Sequence, residues 1–363
     1  MAGEYNSLKS AWHYVRDGGL PSAPKQVQFI ISDLCNQSCS FCAFRQDGYT
    51  SNELFVGSSE LAKVGHNNPI RMVDKMRALT LLHEMKDAGV LAIQFTGGGE
   101  PTVHPNHCKL FMEALDLGFK VALVSNGYRW SDMLINDIIP NMSWVRVSLD
   151  AGNHDTYARI RETPIAAFRK VLSHVARASA SITRTKSKCV LGVSYVVTPE
   201  NIDEIITAAQ EARDHGAAYI RYTAMFSLKN EKIYDASMVG RIGMFLAMAK
   251  RQYETSRFAV QDGFAERFRQ LHQGNPKQKL CAQQYYEGYI GGDLMLYRCC
   301  ALAYNSKGGL QAVTNKSFQT AWSQALNNFQ HFDARSCERC PFDDKNRVID
   351  YLHKQSPQHI EFP

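Results

Sequence analysis

The chain has 363 residues, 45% of them hydrophobic, enough for one large core or a core plus a small module. A net charge of +6 is too mild to argue for nucleic-acid binding, and no apolar run reaches the roughly 18 residues of a membrane span. The N-terminal residues hold no apolar stretch of signal-peptide type, so a cytoplasmic protein is expected. In that reducing compartment, ten cysteines point to metal binding or chemistry rather than disulfides.

Residues 1–25 read as a polar lead-in with one short helix near Leu8 to Val15 and no room for a separate recognition domain. After the apolar run 27–31, Cys35, Cys39 and Cys42 stand at C-x3-C-x2-C. Fe–S clusters are usually held by four cysteines, so three in one loop leave one iron open to another ligand. A zinc site or a set of buried thiols is the plain alternative. Residues 43–72 follow directly, too long for a tight link between strand and helix, and read as a lid or as a simple insertion.

Strand-like runs at 26–32, 92–96, 121–125, 144–149, 190–197 and 219–223 are rich in β-branched and aromatic residues. Helical patterns at 76–88, 109–117, 130–139, 165–180 and 202–215 lie between them, and Leu79, Leu82, Met85 and Ala88 are spaced to share one face. Such alternation predicts an α/β fold with a parallel sheet and right-handed crossovers. Six units make a partial (β/α)6 barrel, whose active site lies at the carboxyl ends of the strands.

Three of those strand ends carry polar motifs. At the second, Gly98 and Gly99 allow close backbone approach, and Glu100 can accept a hydrogen bond from an ammonium group. At the third stand Ser125 and Asn126. In the fourth, Arg146, Ser148 and Asp150 alternate with Val145, Val147 and Leu149, a polar stripe that needs a partner if buried.

Together these features resemble the radical S-adenosylmethionine (AdoMet) enzymes, over residues 26–223 and again over 281–340. Their hallmark is the same cysteine spacing with an aromatic residue, here Phe41, before the third cysteine. The resemblance implies a [4Fe–4S] cluster on Cys35, Cys39 and Cys42, whose open iron chelates AdoMet. Reductive cleavage then gives a 5′-deoxyadenosyl radical that abstracts hydrogen from a substrate. Gly98, Gly99 and Glu100 match the motif that holds the AdoMet amino group, and Ser125 and Asn126 the ribose contact. Ser148 and Asp150 match residues near the ribose or methionine part, and Arg161 the partner of the AdoMet carboxylate, with Arg159 as competitor.

Towards the C-terminus lie Cys281, the pair Cys299 and Cys300, and Cys337 and Cys340 at C-x2-C. A hairpin turning at Gly291, Gly292 and Asp293 returns the chain, and four thiolates complete a cluster or a tetrahedral zinc site. The arrangement resembles the Twitch form of the SPASM domain. That implies an auxiliary [4Fe–4S] cluster on Cys281, Cys299, Cys337 and Cys340, with Cys300 spare. The expected organisation is a lead-in at 1–25, the barrel at 26–257, the Twitch-like module at 258–345 and a tail at 346–363.

The leading substrate expectation is a peptide or protein side chain, although no leader-binding domain is read here. Dehydrogenation or isomerisation of a small metabolite or nucleotide is the alternative, and a non-catalytic metal-binding scaffold is the reading from another class. The implied electron donor is a flavodoxin or ferredoxin. Tyr195 and Tyr222 sit near predicted strand ends but are read as packing. Cys108 and Cys189 are read as buried thiols, and His104 and His107 as surface histidines.

Overall fold

The structure is a computed structural model describing residues 8–44, 72–225, 233–272, 274–305 and 307–354. Residues 45–71, nearly all of the expected lid, lie outside the described residues. The first helix, α1 (Leu8–Asp17), precedes β1 (Gln26–Phe29). Then come α2 (Lys75–Asp87), β2 (Ala92–Phe95), α3 (His107–Asp116) and β3 (Lys120–Ser125). The helix expected over 130–139 is a π-helical turn, Leu134–Ile138, running into a 3-10 turn at Pro140. Next are β4 (Trp144–Ser148), α4 (His154–Arg161), α5 (Ala166–Arg184), β5 (Val190–Val197), α6 (Ile205–Asp214), β6 (Tyr219–Ala224) and α7 (Ala236–Tyr253). The chain continues through β7 (Ala259–Gly263), α8 (Phe264–His272), the single turn α9 (Gln283–Tyr286), β8 (Glu287–Ile290) and β9 (Met295–Tyr297). It closes with β10 (Gly309–Ala312), α10 (Phe318–His331) and α11 (Asp343–Lys354).

The fold is α/β with a mostly parallel sheet in the order β10-β9-β8-β1-β2-β3-β4-β5-β6-β7. Strands β1 to β7 run parallel, and among the described residues β7 and β10 are the sheet's outer strands and do not pair with each other. One face takes Val27, Phe29, Ile93, Phe95, Leu123, Val145, Val147 and Ile220, all fully buried in the core with residues of the helices. Strand periodicity puts Gln28, Gln94, Arg146, Ser148, Ser194 and Arg221 on the opposite, half-buried face, here termed the lumen face. In α2 the buried residues are Ala78, Leu81, Leu82 and Met85, with Leu79 and Ala88 at the margin. Asp74 caps that helix by accepting from Met76 N and Arg77 N at 2.8 and 3.0 Å.

The C-terminal stretch differs from expectation. Residues placed at the start of the module form β7, a seventh parallel strand that pairs with β6 from Tyr219↔Ala259 to Thr223↔Gly263. The hairpin is present, but its first strand joins the main sheet: β8 lies parallel to β1, with Gln26↔Glu287 and Phe29↔Ile290 in register. The expected tail from 346 is helical to Lys354, with Ile349 and Asn346 buried and His353 bonded to Tyr14 of α1 at 3.1 Å. Among the described residues no helix is long and apolar enough to cross a membrane.

Asn201 locks two strand ends together. Its Nδ2 donates to Asp150 O and Val196 O, both at 2.9 Å, and its Oδ1 accepts from Thr198 N at 2.7 Å. Asn201→Ala should lower unfolding free energy by about 2–3 kcal/mol, because it strands buried backbone groups; urea denaturation measures it.

Candidate active site

The cysteine loop leaves β1 and is pinned by backbone on two sides. Gly99 N donates to Ser32 O at 3.1 Å and Glu100 N to Leu34 O at 2.9 Å. Ser38 N and Ser40 N donate to Arg161 O and Ile160 O of α4 at 3.0 and 2.9 Å. The glycines are obligatory here. A Cβ at Gly98 would lie 2.3 Å from Asp33 Oδ1, and one at Gly99 2.2 Å from Leu34 O.

Glu100 is buried, and its carboxylate ties strand ends together. Oε1 accepts from Thr102 N at 3.1 Å, Thr102 Oγ1 at 2.7 Å and Ser125 Oγ at 2.7 Å, while Oε2 accepts from Asn126 N at 2.7 Å. Ser125 Oγ also accepts from Gly127 N and Trp130 Nε1, so its hydroxyl is fully committed. Asn126 Nδ2 reaches back to the cysteine loop, to Asn36 Oδ1 at 2.8 Å and Cys35 Sγ at 3.9 Å. Burial pushes the Cys35 thiol well above its ordinary range, and the charges of Glu100, Cys39 and Cys42 push it further. A thiol so placed ionises only beside a cation.

Arg161 and Asp150 form an ion pair with both side chains 2% exposed. Arg161 also donates to Gln37 Oε1 at 2.6 Å and Ser148 O at 2.8 Å, and its guanidinium lies 5.8 Å from the Phe41 ring centre. Burial works against the Arg161 charge, but Cys39, Asp150 and Tyr157 outweigh it and hold the group protonated. Asp150 has φ +57°, and its Oδ1 accepts from Val196 N at 2.6 Å. The competitor, Arg159, is half exposed and paired with Glu200 at the surface. Ser148 faces Ser194 across the sheet, with hydroxyls 3.5 Å apart.

The C-terminal thiols also draw together. Burial pushes Cys299 well up, and its charged neighbours are Cys300, Cys281, Cys340 and Cys337. Cys337 is pushed up to about 12 by burial and then by Cys281. Cys340 Sγ accepts from Phe342 N at 3.4 Å and from buried Asn346 Nδ2 at 3.7 Å. Cys300 packs instead against Ile30, Tyr289, Tyr297 and Tyr304, and the groups acting on it after burial are Glu287 and Arg267. None of the ten cysteines is in a disulfide.

Several side chains with chemical potential prove structural. Tyr195 and Tyr222 are fully buried on the helix side, donating to Asn201 O and Ile205 O. His104, expected at the surface, is buried with Nε2 on Val73 O at 2.9 Å. Cys189 is buried as expected, but Cys108 is half-buried. Sequence reasoning passed over Asn36, Gln37 and Thr102, whose contacts hold Asn126, Arg161 and Glu100. The available signal was two amides between Cys35 and Cys39, in a loop that must fold back on itself.

Residues 29–215, just over half of the chain, match the family model of the Radical SAM superfamily. The chain belongs to that superfamily. Two of its curated relatives are S-adenosylmethionine-dependent nucleotide dehydratases. That of Selenomonas ruminantium is 24% identical over 198 residues, 52% of this chain and 62% of the relative. That of Pseudoalteromonas ulvae is 23% identical over 129 residues, 35% of this chain and 41% of the relative. The chain thus spans less than two thirds of either. Streptococcus suis SuiB bound to its precursor peptide SuiA shares the fold with TM-score 0.60 at 15% identity, over 88% of this chain and 70% of that one. The enzyme anSMEcpe with bound AdoMet gives TM-score 0.57 at 14% identity, over 89% of this chain and 88% of that one.

The family implies a [4Fe–4S] cluster and AdoMet, and the residues present fit both. Gln37 N and Asn126 Nδ2 direct hydrogen bonds to the Cys35 sulfur, as a thiolate ligand requires. Arg161 Nε is buried and has no acceptor among the described residues, a donor suited to a carboxylate. No three His, Cys, Asp or Glu side chains among the described residues are grouped to hold a single metal ion. A cubane spaces its thiolates more widely, because each binds a different iron.

Glu100→Gln places an amide donor against Asn126 N or Ser125 Oγ. It should cost about 1–3 kcal/mol of stability, read by thermal unfolding of the apo chain, while Thr102→Ser should cost little.

Proposed function

We propose that this enzyme carries out radical AdoMet chemistry with two clusters, on a small metabolite or nucleotide. The observation that carries the reading is the docking of the cysteine loop onto the Gly98–Gly99 turn, Asn126 and Arg161, one β/α unit after another. Cys35, Cys39 and Cys42 would hold the AdoMet-binding [4Fe–4S] cluster. When bound, cluster and AdoMet supply a 5′-deoxyadenosyl radical that takes hydrogen from the substrate.

The chain's own residues then divide into two groups. Gly98, Gly99, Glu100, Asn126, Ser148 and Arg161 would meet AdoMet, with Arg161 at its carboxylate and Phe41 beside that guanidinium. Ser125 and Asp150, whose polar atoms are engaged by protein partners, would orient Glu100 and Arg161. Cys281, Cys299, Cys337 and Cys340 would hold the auxiliary [4Fe–4S] cluster, which would shape the site or assist an oxidation. Ten cysteines with no disulfide suit a reducing compartment such as the cytoplasm, with a flavodoxin or ferredoxin as electron donor.

For the substrate, the relatives named as nucleotide dehydratases support a nucleotide or small metabolite. For the peptide side chain expected from the Twitch-like resemblance, the likeness to SuiB with its precursor peptide adds nothing, because at 15% identity it carries only the fold. Iron and sulfide analysis of the anaerobically reconstituted chain should give about eight of each, falling to about four in a Cys281→Ala/Cys337→Ala variant. Four iron with one zinc in the unmodified chain would remove the auxiliary cluster. Reduced enzyme should convert AdoMet to 5′-deoxyadenosine, and Cys39→Ala should abolish this. No 5′-deoxyadenosine with any nucleotide or peptide present would sink the proposal.

A further inference from the structure

The lumen face holds a feature that the AdoMet site does not use. Strand register sets Arg146 of β4 beside Gly192 of β5 and Tyr219 of β6. One step up, Ser148, Ser194, Arg221 and Gln261 form the next row across β4 to β7. Gly192 makes the lower row possible: a Cβ there would lie 2.1 Å from the Tyr219 ring. The ring therefore lies across β5 on the Arg146 side of the row.

Arg146 is otherwise poorly compensated. Its guanidinium lies 5.4 Å from the Trp144 ring centre, and its Nε is buried with no acceptor among the described residues. Among the described residues, the permanently charged group that acts on it is a second arginine, Arg221. Burial pushes the Arg146 guanidinium below its ordinary value, and Arg221 adds to that shift against Tyr219. Arg221 forms no hydrogen bond or ion pair among the described residues, and its Nε lies 3.2 Å from where a Gly263 Cβ would be. The carboxylate on this face, Glu287, is held elsewhere, by Gln26, Gln28 and Gln283. Buried charges in proteins are paired or coordinate a ligand, and two like charges side by side are worse than one. Planar guanidinium donors match the geometry of carboxylate and phosphate oxygens.

We propose that Arg146 and Arg221 form an oxyanion-binding pair on the lumen face, and that the substrate carries a phosphate or carboxylate there. Ser194 adds a hydroxyl in the same row as Arg221, next to Ser148 of the AdoMet group. The anion then fixes which substrate carbon is offered for hydrogen abstraction. This rests on the reading of the lumen as the substrate chamber of a radical SAM enzyme.

The test is calorimetric titration of the full, anaerobically reconstituted chain, in anion-poor buffer, with inorganic phosphate and separately with acetate. Saturable binding of either is expected, weakened at least tenfold by Arg146→Gln and by Arg221→Gln, and less by Arg146→Lys. Tighter phosphate binding assigns a phosphorylated substrate, and tighter acetate binding a carboxylic acid. The thermal midpoint of Arg146→Gln in anion-free buffer should hold or rise, since a poorly compensated buried charge is lost. Binding of neither anion, or equal binding by the variants, overturns the proposal. So does a fall in that midpoint of about 5 °C or more, which would make the guanidinium a structural support. The assay needs no AdoMet cleavage. Anion binding by a chain that forms no 5′-deoxyadenosine would therefore keep this site while the enzymatic reading fails.

Discussion

Everything at the mouth of the sheet depends on a contact with no room for a side chain. The turn after β2 passes so close to the start of the cysteine loop that a Cβ at Gly99 would strike the backbone of Asp33 and Leu34, and one at Gly98 the Asp33 carboxylate and the Tyr304 hydroxyl. This approach lets Gly99 N and Glu100 N bond the cysteine loop directly. The backbone of that loop is thereby held from two sides, and Asn126 Nδ2 adds a side-chain contact to the Cys35 sulfur.

The same loop receives the C-terminal module. Tyr304 donates to Asp33, accepts from Gly292 N at 3.0 Å and packs with Tyr289 and Tyr297. A Cβ at Gly292 would fall 2.7 Å from Asp33 Cγ, so the hairpin turn also closes on the start of the cysteine loop. With β8 paired to β1, the strand that leads into Cys35 is flanked by β2 on one side and the hairpin on the other.

The main strands, the glycine turn and the cysteine spacing were legible in sequence because each is local. β-branched runs, a Gly-rich turn and a three-cysteine loop declare themselves within about ten residues. Pairing of β1 with β8 joins residues about 260 positions apart, and nothing in the run Glu287–Ile290 says which edge it will meet. Strand β7 hid for another reason: AVQDG carries Asp and Gly, which are poor strand formers, and pairs only because β6 offers a free edge. Burial does not separate Cys299 from Cys300, because both are buried; what differs is that Cys281, Cys337 and Cys340 act on Cys299 while Glu287 and Arg267 act on Cys300. The commitment of Ser125 and Asp150 to protein partners was not legible, because motif spacing shows that a polar atom is near a site but not what already occupies it.

Three buried guanidiniums share one condition: Arg146, Arg161 and Arg298 each keep an Nε with no acceptor among the described residues. Arg161 is half-answered by Asp150. Arg298 donates to Gln284 Oε1 at 2.6 Å and lies 3.9 Å from the Phe332 ring centre. After burial, which lowers it, the groups acting on it are the thiols of Cys281, Cys299 and Cys337. Neutral thiols cannot balance a buried cation; ionised ones can, and crowded thiols ionise only where iron or zinc binds them. Among the three, Arg161 has a carboxylate partner, whereas Arg146 and Arg298 have none among the described residues. On the proposed reading, a substrate oxyanion would answer Arg146 and metal-bound thiolates would answer Arg298. A non-catalytic metal-binding scaffold would account for thiolates beside Arg298 but would give no reason to keep Arg146 and Arg221 together on the lumen face.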